Sequence, residues 1–130
     1  MSADRFTWER TIRDPKVGMP RELLCVALLL ATYSTGKTGD DIKVSASTLR
    51  DALGYDHERS VRRLVAELRD GYGVIRRVRH GGRYRPAEYA LVLPGDLAGR
   101  AEAARDRRAA DLARPSRQRK TDAPRPVQGT

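Results

Sequence analysis

The chain of 130 residues has a single cysteine, two histidines and two methionines. One cysteine excludes an internal disulfide framework and the paired cysteines of a zinc ribbon. The histidines, His57 and His80, have no cysteine or acidic cluster at metal-ligand spacing around them. No metal and no cofactor are therefore expected. Long apolar runs are also lacking. The longest, Leu23–Ala31, has nine residues, about half of the ~20 that span a bilayer. The N-terminal residues Met1–Arg10 are of mixed charge with no apolar stretch behind them, so no signal peptide is expected. These absences predict a soluble cytoplasmic protein with no membrane partner. Lysine is scarce too: the 26 basic residues comprise 4 Lys and 22 Arg, against 17 acids, for a net charge of +9. Arg offers a planar fork suited to phosphate and guanine edges, although a GC-rich genome also raises Arg, Ala and Gly. No Ser/His/Asp set and no close carboxylate pair points to an enzyme.

The apolar fraction of 39% allows a core, but not over the whole chain. Residues 95–130 contain no aromatic residue and carry nine basic and five acidic residues. Gly95–Arg114 reads as a basic helix with Asp96 as N-cap and a thin stripe of Leu97, Ala101, Ala104 and Leu112. From Pro115 the composition reads as a disordered basic tail. The fold is thus expected within residues 6–94: an N-terminal arm over 1–19, then a domain over 20–94. Phe6 and Trp8 are expected to pack over the core, with a partner surface as the alternative.

Within the domain, Pro20 stands at the start of a helix running to about Tyr33. That helix is apolar nearly all round, which predicts a buried element with Cys25 as a small buried hydrophobe. Ile42–Val44 is a short strand. Ser45 caps a second helix ending at Gly54. A third follows Asp56, with Val61, Leu64, Val65 and Leu68 at i, i+3, i+4 and i+7. Asp70–Gly73 ends it. Val74–Val78 and Glu88–Leu93 then read as strands joined through the paired glycines Gly81 and Gly82.

The charge is local. Residues 57–85 hold nine Arg and three acids, a net +6, whereas residues 1–94 total +5. The remainder of the domain is therefore about −1 by difference. With Val61, Leu64, Val65 and Leu68 inward, Arg59 and Arg63 point outward and Arg62 lies beside them. Arg76, Arg77, Arg79, Arg83 and Arg85 sit on the hairpin, with His80 near its turn. An arginine-faced helix followed by a basic hairpin suits duplex nucleic acid: the helix fits the major groove, and the hairpin reaches phosphates or the minor groove. His57 and Ser60 stand near the helix start as further contacts. Glu58 reads either as an acceptor for cytosine or as an acid at a helix N-terminus. Ser45 and Ser47 can meet phosphate through backbone amides or cap their helix, the role preferred for Ser45.

The stretch SASTLRDALGYDHERSVRRLVAELRDGYGVIRRVRHGGRYRPAEYALVLP resembles the winged helix-turn-helix of bacterial DNA-binding proteins. Ser45 and Thr48–Leu49 resemble the start of the second helix and Gly54 the turn glycine. Ser60–Val61 resemble a Ser-Val pair near the start of the third helix, Leu68 its last leucine, and Val74–Ile75 the start of the wing. The resemblance covers about residues 20–94 and is closest to domains of actinobacterial phages, plasmids and integrating elements. It differs in a turn at Tyr55–Glu58 about one residue longer than usual, and in Gly71–Tyr72–Gly73 where a single glycine is common. It implies an α+β fold with a three-helix core and a hairpin wing, and a nucleoid-associated, double-stranded DNA-binding protein. The function implied first is transcriptional regulation, with the chain itself as partner in a homodimer. Replication initiation or an accessory role, with a replication or transcription protein as partner, is a second. A protein-interaction module with a basic face is a third, of another class.

Ala31–Thr38 fits a relaxed Walker A pattern with Ala31 in place of the first Gly. A P-loop needs a strand before it and a helix directly after. Here a helix precedes it, and Asp40 and Asp41 would repel phosphate. A polar loop is the reading adopted. ATP turnover is therefore expected to be undetectable and unaltered by Lys37→Ala in a phosphate-release assay. Turnover lost on that substitution would contradict it.

Overall fold

A computed structural model describes residues 3–34, 39–82 and 85–114. Among them are five α-helices and one three-stranded antiparallel sheet, an α+β arrangement. The elements run α1 (Arg5–Ile12), α2 (Arg21–Thr32), β1 (Ile42–Val44), α3 (Ala46–Leu53), α4 (Glu58–Ala66), β2 (Ile75–Arg79), β3 (Ala87–Leu91) and α5 (Leu97–Leu112). Strand order is β1-β3-β2. No helix of the described residues is long and apolar enough to cross a membrane.

The local signals act as expected in the middle of the chain. The Ser45 hydroxyl accepts from the Thr48 amide at 3.1 Å and starts α3. Gly54, at φ 77°, ends it in the left-handed region, where a Cβ would be strained. In α4, Val61, Leu64 and Val65 are buried against the other helices.

Three features differ from expectation. First, α4 reaches the expected terminus within Asp70–Gly73 by another route. It continues as a π-helical segment, Glu67–Tyr72, closed by Gly73 at φ 69°. A π turn takes in an extra residue while keeping the chain helical. It buries Leu68, Gly71 and Tyr72 together, and a Cβ on Gly71 would lie 3.6 Å from Ala104 Cβ of α5. Second, the core is wider than residues 6–94. One hydrophobic cluster runs from Trp8, Ile12 and Val17 to Leu97, Ala101 and Ala104. The alanine stripe of α5 was thin, but small side chains suffice where the π segment packs closely against it. Leu112 stays outside at 68% exposure. Third, Cys25 is exposed. An all-apolar helix does not reveal which side meets solvent, and α2 buries Leu23, Val26, Ala27, Leu30 and Ala31 instead.

The expected arm is helix α1, capped by the Asp4 carboxylate accepting from the Thr7 amide at 3.0 Å. Its two aromatic residues part company. Phe6 is 62% exposed, contrary to the expected packing, whereas Trp8 is fully buried. The Trp8 Nε1–H donates to the carbonyls of Val74, at 2.8 Å, and Val92, at 3.1 Å. The indole thereby ties α1 to the residues flanking β2 and β3. Arg105 of α5 donates to the Val17 carbonyl, closing the other side of the N-terminal segment.

Trp8→Ala is expected to cost about 3–5 kcal/mol, the range for a deleted core aromatic. Trp8→Phe keeps most of the packing and loses the shared hydrogen bond, about 0.5–1.5 kcal/mol. Urea denaturation of the three proteins checks both values.

Candidate nucleic-acid interface

Helix α4 carries arginines on two different flanks. At ~100° per residue, positions 62, 66 and 69 fall on one side of its inward stripe, and positions 63 and 67 on the other. Arg62, Ala66 and Arg69 line a cleft of about 520 Å³ shared with the β2–β3 hairpin. Arg63 and Glu67 line a second cavity with Arg107 and Arg108 of α5. The three helix arginines expected to share one outer face are therefore divided. Arg59 projects outward and exposed, Arg62 turns toward the hairpin, and Arg63 toward α5.

A β-bulge divides the hairpin arginines in the same way. Arg77 pairs with Tyr89, but Arg79 pairs with Glu88, so Val78 is the extra residue. Val78 is 52% exposed as a result. Residues opposite each other in register share a face of the sheet. Arg77 therefore lies on the face of Tyr89 and Ile42, toward the helices, and Arg79 on the face of Glu88 and Lys43. The Glu88 carboxylate is 3.9 Å from Lys43 Nζ and 4.0 Å from Arg79 Nη1, which offsets the charge there. Arg76 is exposed on that same outer face. Near the tip, Gly82 and Arg85 exchange backbone hydrogen bonds of 2.8 and 3.3 Å, bringing Arg85 back over the cleft. Arg83 lies outside the described residues.

The cleft thus gathers Arg62, Arg69, Arg77, Arg85 and His80, while Val44, Leu49, Val65 and Tyr89 supply apolar walls. No acidic side chain lines it among the described residues. Acids stand just outside and hold the cations in place. Glu58 accepts from Arg62 at 2.8 Å across one turn. Asp70 takes a two-pronged pair from Arg69, at 2.9 and 3.0 Å. The Arg69 hydrogen bonds hold the Asp70 carboxyl below its usual range. Arg77 Nη1 donates to His80 Nδ1 at 3.0 Å, which requires the imidazole proton to sit on the other nitrogen. Arg69 Nη1 and Arg77 Nε are buried without an acceptor.

Several expected site residues stand at the rim. His57 is the exposed N-cap of α4, and its side chain makes no capping bond. Ser60 is half-buried in the first turn, on the flank opposite Arg62. Ser47 is half-buried in the first turn of α3, next to Ser45 and Ala46, which line the cleft. Arg69 was among the basic residues counted but was not expected at the site. Its place on the flank of Arg62, seven positions on, is the signal that finds it.

On the α5 side, Arg108 binds Glu22 at 2.6 Å and Glu67 at 3.5 Å. Burial pushes the Glu67 carboxyl above its ordinary value and outweighs the attraction of Arg108. Among the described residues, no group of three His, Cys, Asp or Glu can hold a metal ion. A helix (α2) precedes the Walker-like stretch and a strand (β1) follows it, the reverse of a P-loop, while Thr35–Thr38 lie outside the described residues.

An acid with a raised folded-state value binds its proton more tightly in the native protein. Its contribution is complete below the ordinary value of 4.5 and is lost as pH rises through the folded value. Glu67→Gln should therefore gain in stability relative to the parent as pH rises from 4 to 7. Urea midpoints measured across that range test this, and a difference moving the other way would contradict it. No family model matches the chain, and no curated protein or solved structure does so either.

Proposed function

We propose that the chain is a winged helix-turn-helix domain that binds double-stranded DNA at a specific site and acts as a transcriptional regulator. One observation carries the reading: four arginines from two helical turns and a hairpin converge on one cleft, and no acid among the described residues lines it. The order helix, short strand, helix, helix, hairpin supports it, as does a sheet in which β1 borders β3. In this reading α4 enters the major groove and the hairpin is the wing. The cleft between them seats one sugar–phosphate strand, and the amides at the start of α3 face the same strand.

In this reading the arginines have unequal roles. Arg59 and Arg62 are the base-reading candidates, and Arg69, Arg77 and Arg85 are phosphate contacts. Glu58 orients Arg62 and can itself accept from a cytosine amino group. Arg63, on the α5 flank, stands outside the contact surface. The regulatory role follows from the family resemblance.

Gel-shift titration at two salt concentrations, with sites selected from random duplexes, tests the proposal. Arg62→Ala should relax sequence preference at a cost of about 1–3 kcal/mol. Arg77→Ala and Arg85→Ala should weaken all duplexes alike and each reduce the salt slope by roughly one. Arg63→Ala should change binding less than Arg62→Ala. No shift with any duplex at low salt overturns the proposal.

A further inference from the structure

His80 lies just beyond β2, exposed, and is one of the residues lining the basic cleft. Its Nδ1 accepts from Arg77 Nη1 at 3.0 Å. A guanidinium can only donate, so this bond exists only while Nδ1 carries no proton. The charged groups that share the cleft with the ring are all cations: Arg77 on β2, Arg62 on α4, Arg69 on the π segment and Arg85 on the approach to β3. Tyr89 of β3 adds a phenol, and Ser45, Ala46 and Leu49 bring nothing that titrates near neutrality. The acids of these elements stand outside the lining. Glu58 is paired with Arg62, Asp70 with Arg69, Glu67 with Arg108, and Glu88 faces Lys43 and Arg79. His57, the other histidine, is also outside it, at the positive end of α4.

A proton added to Nδ1 has two effects. It removes the acceptor that Arg77 uses, and it sets two cations side by side. Among the described residues no carboxylate lines the cleft to offset them. An anion placed there reverses both effects. One phosphate group accepts from the released Arg77 and from the imidazolium together, through charge-assisted hydrogen bonds. Arg77 is incompletely satisfied as it stands, since its Nε is buried without an acceptor. Histidine is the side chain that changes charge between pH 5 and 8, so this exchange of acceptor for donor is available near neutrality.

Resting on the duplex-binding reading above, we infer that His80 takes up a proton as a DNA phosphate enters the cleft, so that acidification strengthens binding. Neutral His80 occupies Arg77. Protonated His80 releases it and becomes a contact itself. A ligand that binds with uptake of a proton binds more tightly as pH falls. One more cation then meets the backbone, so the salt dependence steepens as well.

The test is fluorescence anisotropy of the full chain with one selected duplex at pH 7.5 and pH 5.5, at two salt concentrations each. Carboxyls ordinarily titrate near 4, below that interval. Affinity should rise roughly tenfold from the higher pH to the lower, and the salt slope should steepen by about one. His80→Gln keeps an acceptor for Arg77 but does not titrate, and should flatten both changes, whereas His57→Gln should retain them. Affinity that is independent of pH or falls on acidification overturns the inference and leaves duplex binding standing. So does a pH dependence that survives His80→Gln or is lost in His57→Gln. Failure to bind at either pH overturns both.

Discussion

Two backbone carbonyls, those of Val74 and Val92, accept the same indole N–H, and the placement of the hairpin depends on that shared bond. The Val92 amide donates to the Val74 carbonyl as well, so the open end of the hairpin is closed by three hydrogen bonds around one ring. Trp8 is wholly removed from solvent, which makes these bonds costly to break. A hairpin alone is marginally stable in water. Here its base is clamped by α1, its middle by β1 pairing along β3, and its tip is left to project over α4. The N-terminal segment therefore sets the distance between the hairpin and α4, on which the width of the basic cleft depends.

Much of the fold was legible from local chemistry. Ser45 and Gly54 bracket α3 because a hydroxyl and a left-handed glycine satisfy its ends. The inward stripe of α4 follows from helical spacing, and Ile42–Val44 from a short β-branched run between turn residues. What stayed hidden depends on tertiary context. Gly71 in Asp70–Gly73 carries a helix-ending signal, but a small residue also permits close packing, and α5 turns that position into a contact. Cys25 lies in a helix with no polar face, so periodicity cannot orient it. Trp8 needs partners 66 and 84 residues away, which no local pattern contains.

The candidate site was legible as a region and less so as a geometry. The concentration of arginines between His57 and Arg85 marks the helix and the hairpin without reference to coordinates. Two irregularities accompany the cleft, the π turn after Ala66 and the bulge at Val78, and the bulge decides which hairpin arginines meet there. Each shifts the period of its element by one residue. The π turn accompanies Arg69 into the cleft, and the bulge keeps Arg79 out of it. Neither has a distinctive residue signature, since both arise where packing favours one extra residue over strict repetition.

The bulge at Val78 has an electrical consequence as well as a geometric one. On one face of the hairpin, Arg77 joins the cations of the cleft. On the other, Glu88 lies between Lys43 and Arg79 and offsets much of their field. The hairpin is thus a one-sided electrode rather than a uniformly basic finger. A polyanion diffusing toward it meets an attractive potential on the helix side and a weaker one behind. For any such polyanion the orientation of approach is in that way selected before contact.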